Sequence, residues 1–156
     1  MNFSLFSLLS VGYTPKLPDN YVSDSTSPYV LRWYLDRKNL EVHIMMSEPV
    51  TLLNSSTMKI YYGKSTKTTQ GYFFITDRSP RSQNYSTEYI FTYPQDSCYL
   101  NSNATLDVCS LISKPYLSGY LYLTMGSYSF QDYARVPNPN VVIGKGSMLR
   151  EGSPGA

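Results

Sequence analysis

Apolar and polar residues alternate with a period of two along much of this chain, and nowhere do they recur at the spacing of a long amphipathic helix. The local signal is therefore β. Leu40 to Met46 alternates most cleanly, with Leu40, Val42, Ile44 and Met46 on one face and Glu41, His43 and Met45 on the other. Tyr29 to Asp36 reads as the strand before it and Arg37-Lys38-Asn39 as the polar turn between them, which predicts a hairpin. Further strands are expected at Met58 to Tyr62, Gly71 to Thr76, Glu88 to Tyr93, Gly119 to Met125, Tyr128 to Tyr133 and Val141 to Ile143. Only Leu106 to Ile112 has the makings of a helical turn, with Asn103 or Thr105 available as its cap. Short strands separated by turn-rich stretches predict an all-β, antiparallel sandwich of about seven strands with one short helical turn.

The two ends break the pattern. Ser23-Asp24-Ser25-Thr26-Ser27-Pro28 has nothing apolar to bury and reads as a polar hinge. Ahead of it, the apolar run Phe3 to Val11 is too short to span a bilayer and lacks the basic region of a secretory leader, so it reads as a strand. Residues 1–27 are thus expected to be a strand and hinge, either the end of a preceding repeat or a strand exchanged with a neighbour. A shift of the chain by 120 positions gives a weak match that suits either version: Ser7, Tyr13, Asn20 and Val22 fall on Ser127, Tyr133, Asn140 and Val142. Residues 28–143 form the predicted sandwich. Gly144 to Ala156 is rich in Gly and Ser and reads as a flexible tail or linker.

Composition narrows the function classes. A net charge of +2 with only 15% charged residues gives no basic field for nucleic acid, and no segment suits membrane insertion. The outlier is tyrosine: 16 residues, against 6 phenylalanines and 1 tryptophan. Tyrosine favours strands and buries a ring while leaving its hydroxyl in water, so most of these rings are expected to line sheet faces. An exposed subset, Tyr120 and Tyr122 first among them, is available to grip a neighbouring subunit or a sugar.

Cys98 and Cys109 are near enough in sequence to close a short loop as a disulfide, and Asn54, Asn84 and Asn103 each open an N-glycosylation acceptor triplet, as does Asn2. Asn103 lies within the cysteine loop. Together these features point to an extracellular or cell-surface location. Closing a loop of about a dozen residues stabilises a fold by about 3 kcal/mol in the chain-entropy model.

Leu40 through Ser47-Glu48-Pro49-Val50 resembles the strand-plus-Ser-Glu-Pro-Val signature of Ig-like β-sandwich repeats found in large adhesive and filament-forming surface proteins. Pro28 to Asp36 looks like the opening strand of such a repeat, Gly119 to Gly126 like its penultimate strand, and Asp132 to Pro139 like its closing turn, with Arg135-Val136 in place of the usual small residue and glycine. The resemblance implies an Ig-like fold and a role as spacer and contact surface. Copies of the chain or neighbouring repeats are then the expected partners, with glycans as the alternative. Residue logic assigns Glu48, Pro49 and Asp132 to fixing turns: proline cannot donate to a ladder, and a carboxylate accepts the amides that a turn leaves over.

Sequence motifs for chemistry are sparse. His43 is the single histidine and sits mid-strand, and there is no nucleophile elbow, phosphate loop or His/Cys cluster at metal spacing. Neither catalysis nor a metal or other cofactor is expected. A calcium site at Glu48 or Asp132 would need oxygen ligands that sequence spacing alone does not bring together.

Overall fold

The computed structural model describes residues 24–75, 85–92, 98–100 and 119–152, with 70 and 98–100 as backbone only. The described residues form two antiparallel sheets and one 3-10 turn. Strand β1 (Val30–Asp36) pairs with β2 (Glu41–Leu52), which pairs on its other edge with β5 (Ser86–Thr92). Strand β8 (Phe130–Asp132) joins the far end of β2 at Val50, Thr51 and Leu52. The second sheet has five strands in the order β6 (Cys98–Leu100), β4 (Thr69–Phe74), β3 (Lys59–Gly63), β7 (Tyr120–Thr124) and β9 (Leu149–Arg150).

The alternation explains the packing directly. Cross-strand partners share a face, so Trp33, Ile44 and Tyr89 line up as one inward row and Leu35, Val42 and Phe91 as the next. These meet Ile60, Tyr62, Phe73, Leu121 and Leu123 from the second sheet in a single buried cluster that also takes in Phe130. The hairpin turn closes as its composition demands. Asp36 accepts hydrogen bonds from the amides of Lys38 and Asn39 and from the Asn39 side chain, and Leu40 adopts a positive φ of 56°. At the opposite end of β3, Gly63 and Gly119 permit a close backbone approach: a Cβ on Gly119 would lie 2.7 Å from the Gly63 carbonyl oxygen.

Strand β2 departs from the expected boundary. Its backbone continues past Met46 through Ser47-Glu48-Pro49-Val50, so Glu48 and Pro49 lie in a strand rather than a turn. The proline still exerts its effect, because the pairing with β5 skips from Met45 to Val50. On the other edge β1 pairs as far as Met46, and β8 begins at Val50. Pro49 thus occupies the interval between two successive partners, where no amide hydrogen is required.

Both ends of the described body are fastened more firmly than their composition predicts. The hinge is held to the closing segment: the Pro28 carbonyl accepts from the Val141 amide, and the Asp24 carbonyl from the Asn138 side chain. At the other end the expectation of a flexible tail from Gly144 fails through Gly152. Lys145–Ser147 make the 3-10 turn and β9 pairs with β7, while Trp33 Nε1 donates to the Leu149 carbonyl at 2.8 Å and the Leu35 amide to Glu151 at 2.7 Å. Segment 149–152 therefore bridges the two sheets along one side. The expected helical turn at Leu106 to Ile112 and the strand at Phe3 to Val11 lie outside the described residues, and β6 is a strand the sequence pattern did not predict.

Candidate tyrosine and cation face

The outward face of the five-stranded sheet is built by the same alternation that fills the core. Tyr72, Tyr61 and Tyr122 are successive cross-strand partners on β4, β3 and β7, and Arg150 on β9 completes the row beyond Tyr122. Tyr61, Tyr122 and Met148 form a second, smaller buried cluster, with Tyr72 packed against it. The rings are covered by cationic side chains. Lys145 Nζ lies 5.3 Å from the Tyr61 ring centre, and Lys59 Nζ lies 5.0 Å from that of Tyr72 and 5.1 Å from that of Phe74. The Arg150 guanidinium stacks 3.6 Å over Tyr120. Each such contact stabilises by about 0.5–1 kcal/mol at an exposed site.

Electrostatics on this face are one-sided. None of Lys59, Lys145 and Arg150 takes part in the ion pairs found among the described residues, which are Arg37 with Glu151 and His43 with Glu41 and Glu88. Burial, with the Tyr72 hydroxyl nearby, pushes the Tyr61 hydroxyl above its ordinary range, so it remains a neutral hydrogen-bonding group. A shallow cleft of about 240 Å³ opens beside the row, lined by Thr57, Lys59, Tyr61, Thr124 and Lys145 among others. This face therefore combines positive charge with tyrosine rings, of which Tyr61 and Tyr122 are buried and Tyr120 is exposed.

The structure separates the two expected contact residues. Tyr120 is 44% exposed, whereas Tyr122 is 6% exposed under its neighbours, so Tyr120 presents the accessible ring. Sequence reading missed Lys59, Tyr61, Tyr72, Lys145 and Arg150. The signal for Lys59, Tyr61 and Tyr72 was present as outward positions of predicted strands, but Lys145 over Tyr61 and Arg150 over Tyr120 come from a segment whose composition predicts a tail.

Asp132 is buried and closes its turn: one carboxylate oxygen accepts from the amides of Ala134 and Asn138, the other from the Asn138 side chain. Burial alone would raise its pKa, but the bonds from Asn138 and Ala134 outweigh this and hold the carboxyl below the usual range. Arg135 and Val136 point into solvent from the same turn, so neither disturbs its closure. Asn140, to which the sequence assigned no structural role, anchors the next stretch: its side chain accepts from the Phe130 amide and donates to the carbonyls of Gly126 and Val141.

Among the described residues, two groups bring ligand-type atoms within 4.8 Å of one another: Asp24 with Glu48 and Asp132, and Asp36 and Glu41 with His43. In the first, Asp132 is already committed to its turn. Glu48 has its pKa raised by partial burial and by the charges of Asp132 and Asp24. A raised pKa means that Glu48 opposes folding at pH values where it is ionised and ceases to do so as pH falls through its folded value. Replacing Glu48 with glutamine is accordingly expected to stabilise the chain by on the order of 0.5 kcal/mol at neutral pH, with the gain vanishing in acid, as read from urea midpoints across pH. In the second group, each ring nitrogen of His43 lies 3.2 Å from a carboxylate oxygen, of Glu88 and Glu41, and Tyr34 stacks on the ring at 4.6 Å.

Of the expected modification sites, Asn54 lies on an exposed loop after β2, where its side chain accepts from the Ser56 amide. Asn84, Asn103 and Cys109 lie outside the described residues, and Cys98 opens β6. No protein-family model, curated protein or solved structure compared with the chain matches it.

Proposed function

We propose that this chain is a structural and interaction module of an extracellular filament, sheath or adhesive array, working through contacts between copies or repeats. The observation that carries the reading is the row of tyrosines on the outer face of the five-stranded sheet, roofed by Lys59, Lys145 and Arg150. Aromatic and arginine side chains are enriched where protein surfaces meet: aromatic rings bury much area at little conformational cost, and arginine supplies several hydrogen-bond donors.

Strand order supports the Ig-like resemblance. Strand β2 lies between β1 and β5, and β3 lies between β4 and β7, as an Ig-like sandwich places its second strand between the first and fifth and its third beside the sixth. Strand β6 departs from that scheme by occupying the edge beside β4 although it follows β5 in sequence. A disulfide between Cys98 and Cys109 would staple this edge, and glycans on Asn54, Asn84 and Asn103 fit the same extracellular setting. A non-reducing mass measurement finding two free thiols on secreted protein would remove the staple.

Sedimentation velocity of the full chain over a range of concentrations tests the central reading. Reversible growth beyond the monomer is expected, and a strict monomer at every concentration overturns it. Carbohydrate binding is the second reading, favoured by Tyr120, whose exposed ring carries the Arg150 guanidinium. Titration with neutral and acidic oligosaccharides, followed by tyrosine fluorescence, would detect it.

A further inference from the structure

Among the described residues, the two outer faces of the sandwich carry opposite charge. On the four-stranded sheet the outward cross-strand rows are Asp36 with Glu41, Tyr34 with His43, and Arg32 with Met45 and Glu88. Three carboxylates there stand against one arginine and the histidine they surround. The opposite face presents Lys59, Lys145 and Arg150 and, among the described residues, no carboxylate, because Glu151 turns away to the Leu35 amide. We propose that the tyrosine and cation face of one copy docks on the acidic outer face of the next, with Lys59, Lys145 and Arg150 set against Glu41 and Glu88. This rests on the assembly reading above and names the surfaces that perform it.

Charge pattern decides the geometry of the contact. Two cationic faces repel each other, as do two acidic ones, so like-on-like pairing about a two-fold axis is disfavoured. Front-to-back pairing joins unlike faces and leaves a fresh acidic face and a fresh cationic face at the two ends of every stack. A contact of this heterologous kind does not close on itself unless rotation makes a ring, and it propagates otherwise. The tyrosines supply the area that charge alone does not: Tyr120 is already accessible, and Lys59 and Lys145 are flexible enough to lift from the rings they cover. Because the attraction runs between partly exposed groups, salt should weaken it.

Charge exchange provides the test. Variant one carries Lys59→Glu, Lys145→Glu and Arg150→Glu, making both faces acidic; variant two carries Glu41→Lys and Glu88→Lys, making both faces basic. Sedimentation velocity at low salt should show wild-type stacks, each variant alone assembling at least about tenfold more weakly, and an equimolar mixture regaining stacks in which the variants alternate. Circular dichroism establishes that each variant is folded. Where a variant does not fold, the milder Lys59→Gln, Lys145→Gln pair and the salt dependence of the wild type serve instead. Loss of assembly in the glutamine pair, and dissolution of wild-type stacks between about 0.02 M and about 0.5 M salt, support the proposal. Wild-type stacks indifferent to salt and to these substitutions, or a mixture of folded variants that stays monomeric, overturn the proposal while the assembly reading stands. A wild type that never associates overturns both.

Discussion

Replacing Trp33 with alanine is expected to destabilise the chain by about 4 kcal/mol, as the shift in the urea unfolding midpoint. The side chain is fully buried at the centre of the core, and its indole N–H is bonded to the Leu149 carbonyl. Truncation therefore removes both the packing of a large ring between two sheets and the indole bond to that carbonyl. Trp33→Phe separates the two effects. It retains most of the apolar volume and loses only the hydrogen bond and part of the ring, for about 1–2 kcal/mol. Equal losses in the two variants would mean that the indole bond, rather than the packing, dominates.

Asp132→Ala should be the next most damaging change, at about 3 kcal/mol, because three donors close on a carboxylate that is fully buried. Asp132→Asn keeps the shape but places an amide where the Asn138 side chain donates, for about 1 kcal/mol. The pH dependence has a definite sign. Since the folded-state pKa is depressed, the stabilisation from Asp132 is complete above the unfolded value near 4 and is lost as pH falls through the folded value. The wild type should lose stability below about pH 4 more steeply than Asp132→Asn; parallel curves would show that the carboxylate is not held by these bonds.

The alternating segments were legible in sequence because each strand writes its own burial pattern locally. Trp33 and Leu35, Val42 and Ile44, and Leu121 and Leu123 lie inward where a period of two places them. Pairing partners were less legible. Strand β2 was expected to end before Pro49, since a proline breaks a ladder, yet two different neighbours meet that edge on either side of it. Segment 144–152 looks like a linker because Leu149 and Met148 are its only apolar side chains of any size, and its order comes from β7 and Trp33, distant in sequence. The tyrosine and cation face was half visible for the same reason. Tyr120 and Tyr122 belong to a strand that announces itself, whereas Lys145 and Arg150 reach the same face from a segment with no pattern of its own.

The fastening of that last segment has a mechanical consequence. Arg150 pairs with β7, the Glu151 amide bonds to the Leu121 carbonyl, the Glu151 carboxylate holds the Leu35 amide, and the Gly152 amide bonds to the Trp33 carbonyl. A pull applied to the chain just beyond Gly152 would be shared at once between strands of both layers, so the seam would yield as a unit and not peel one bond at a time.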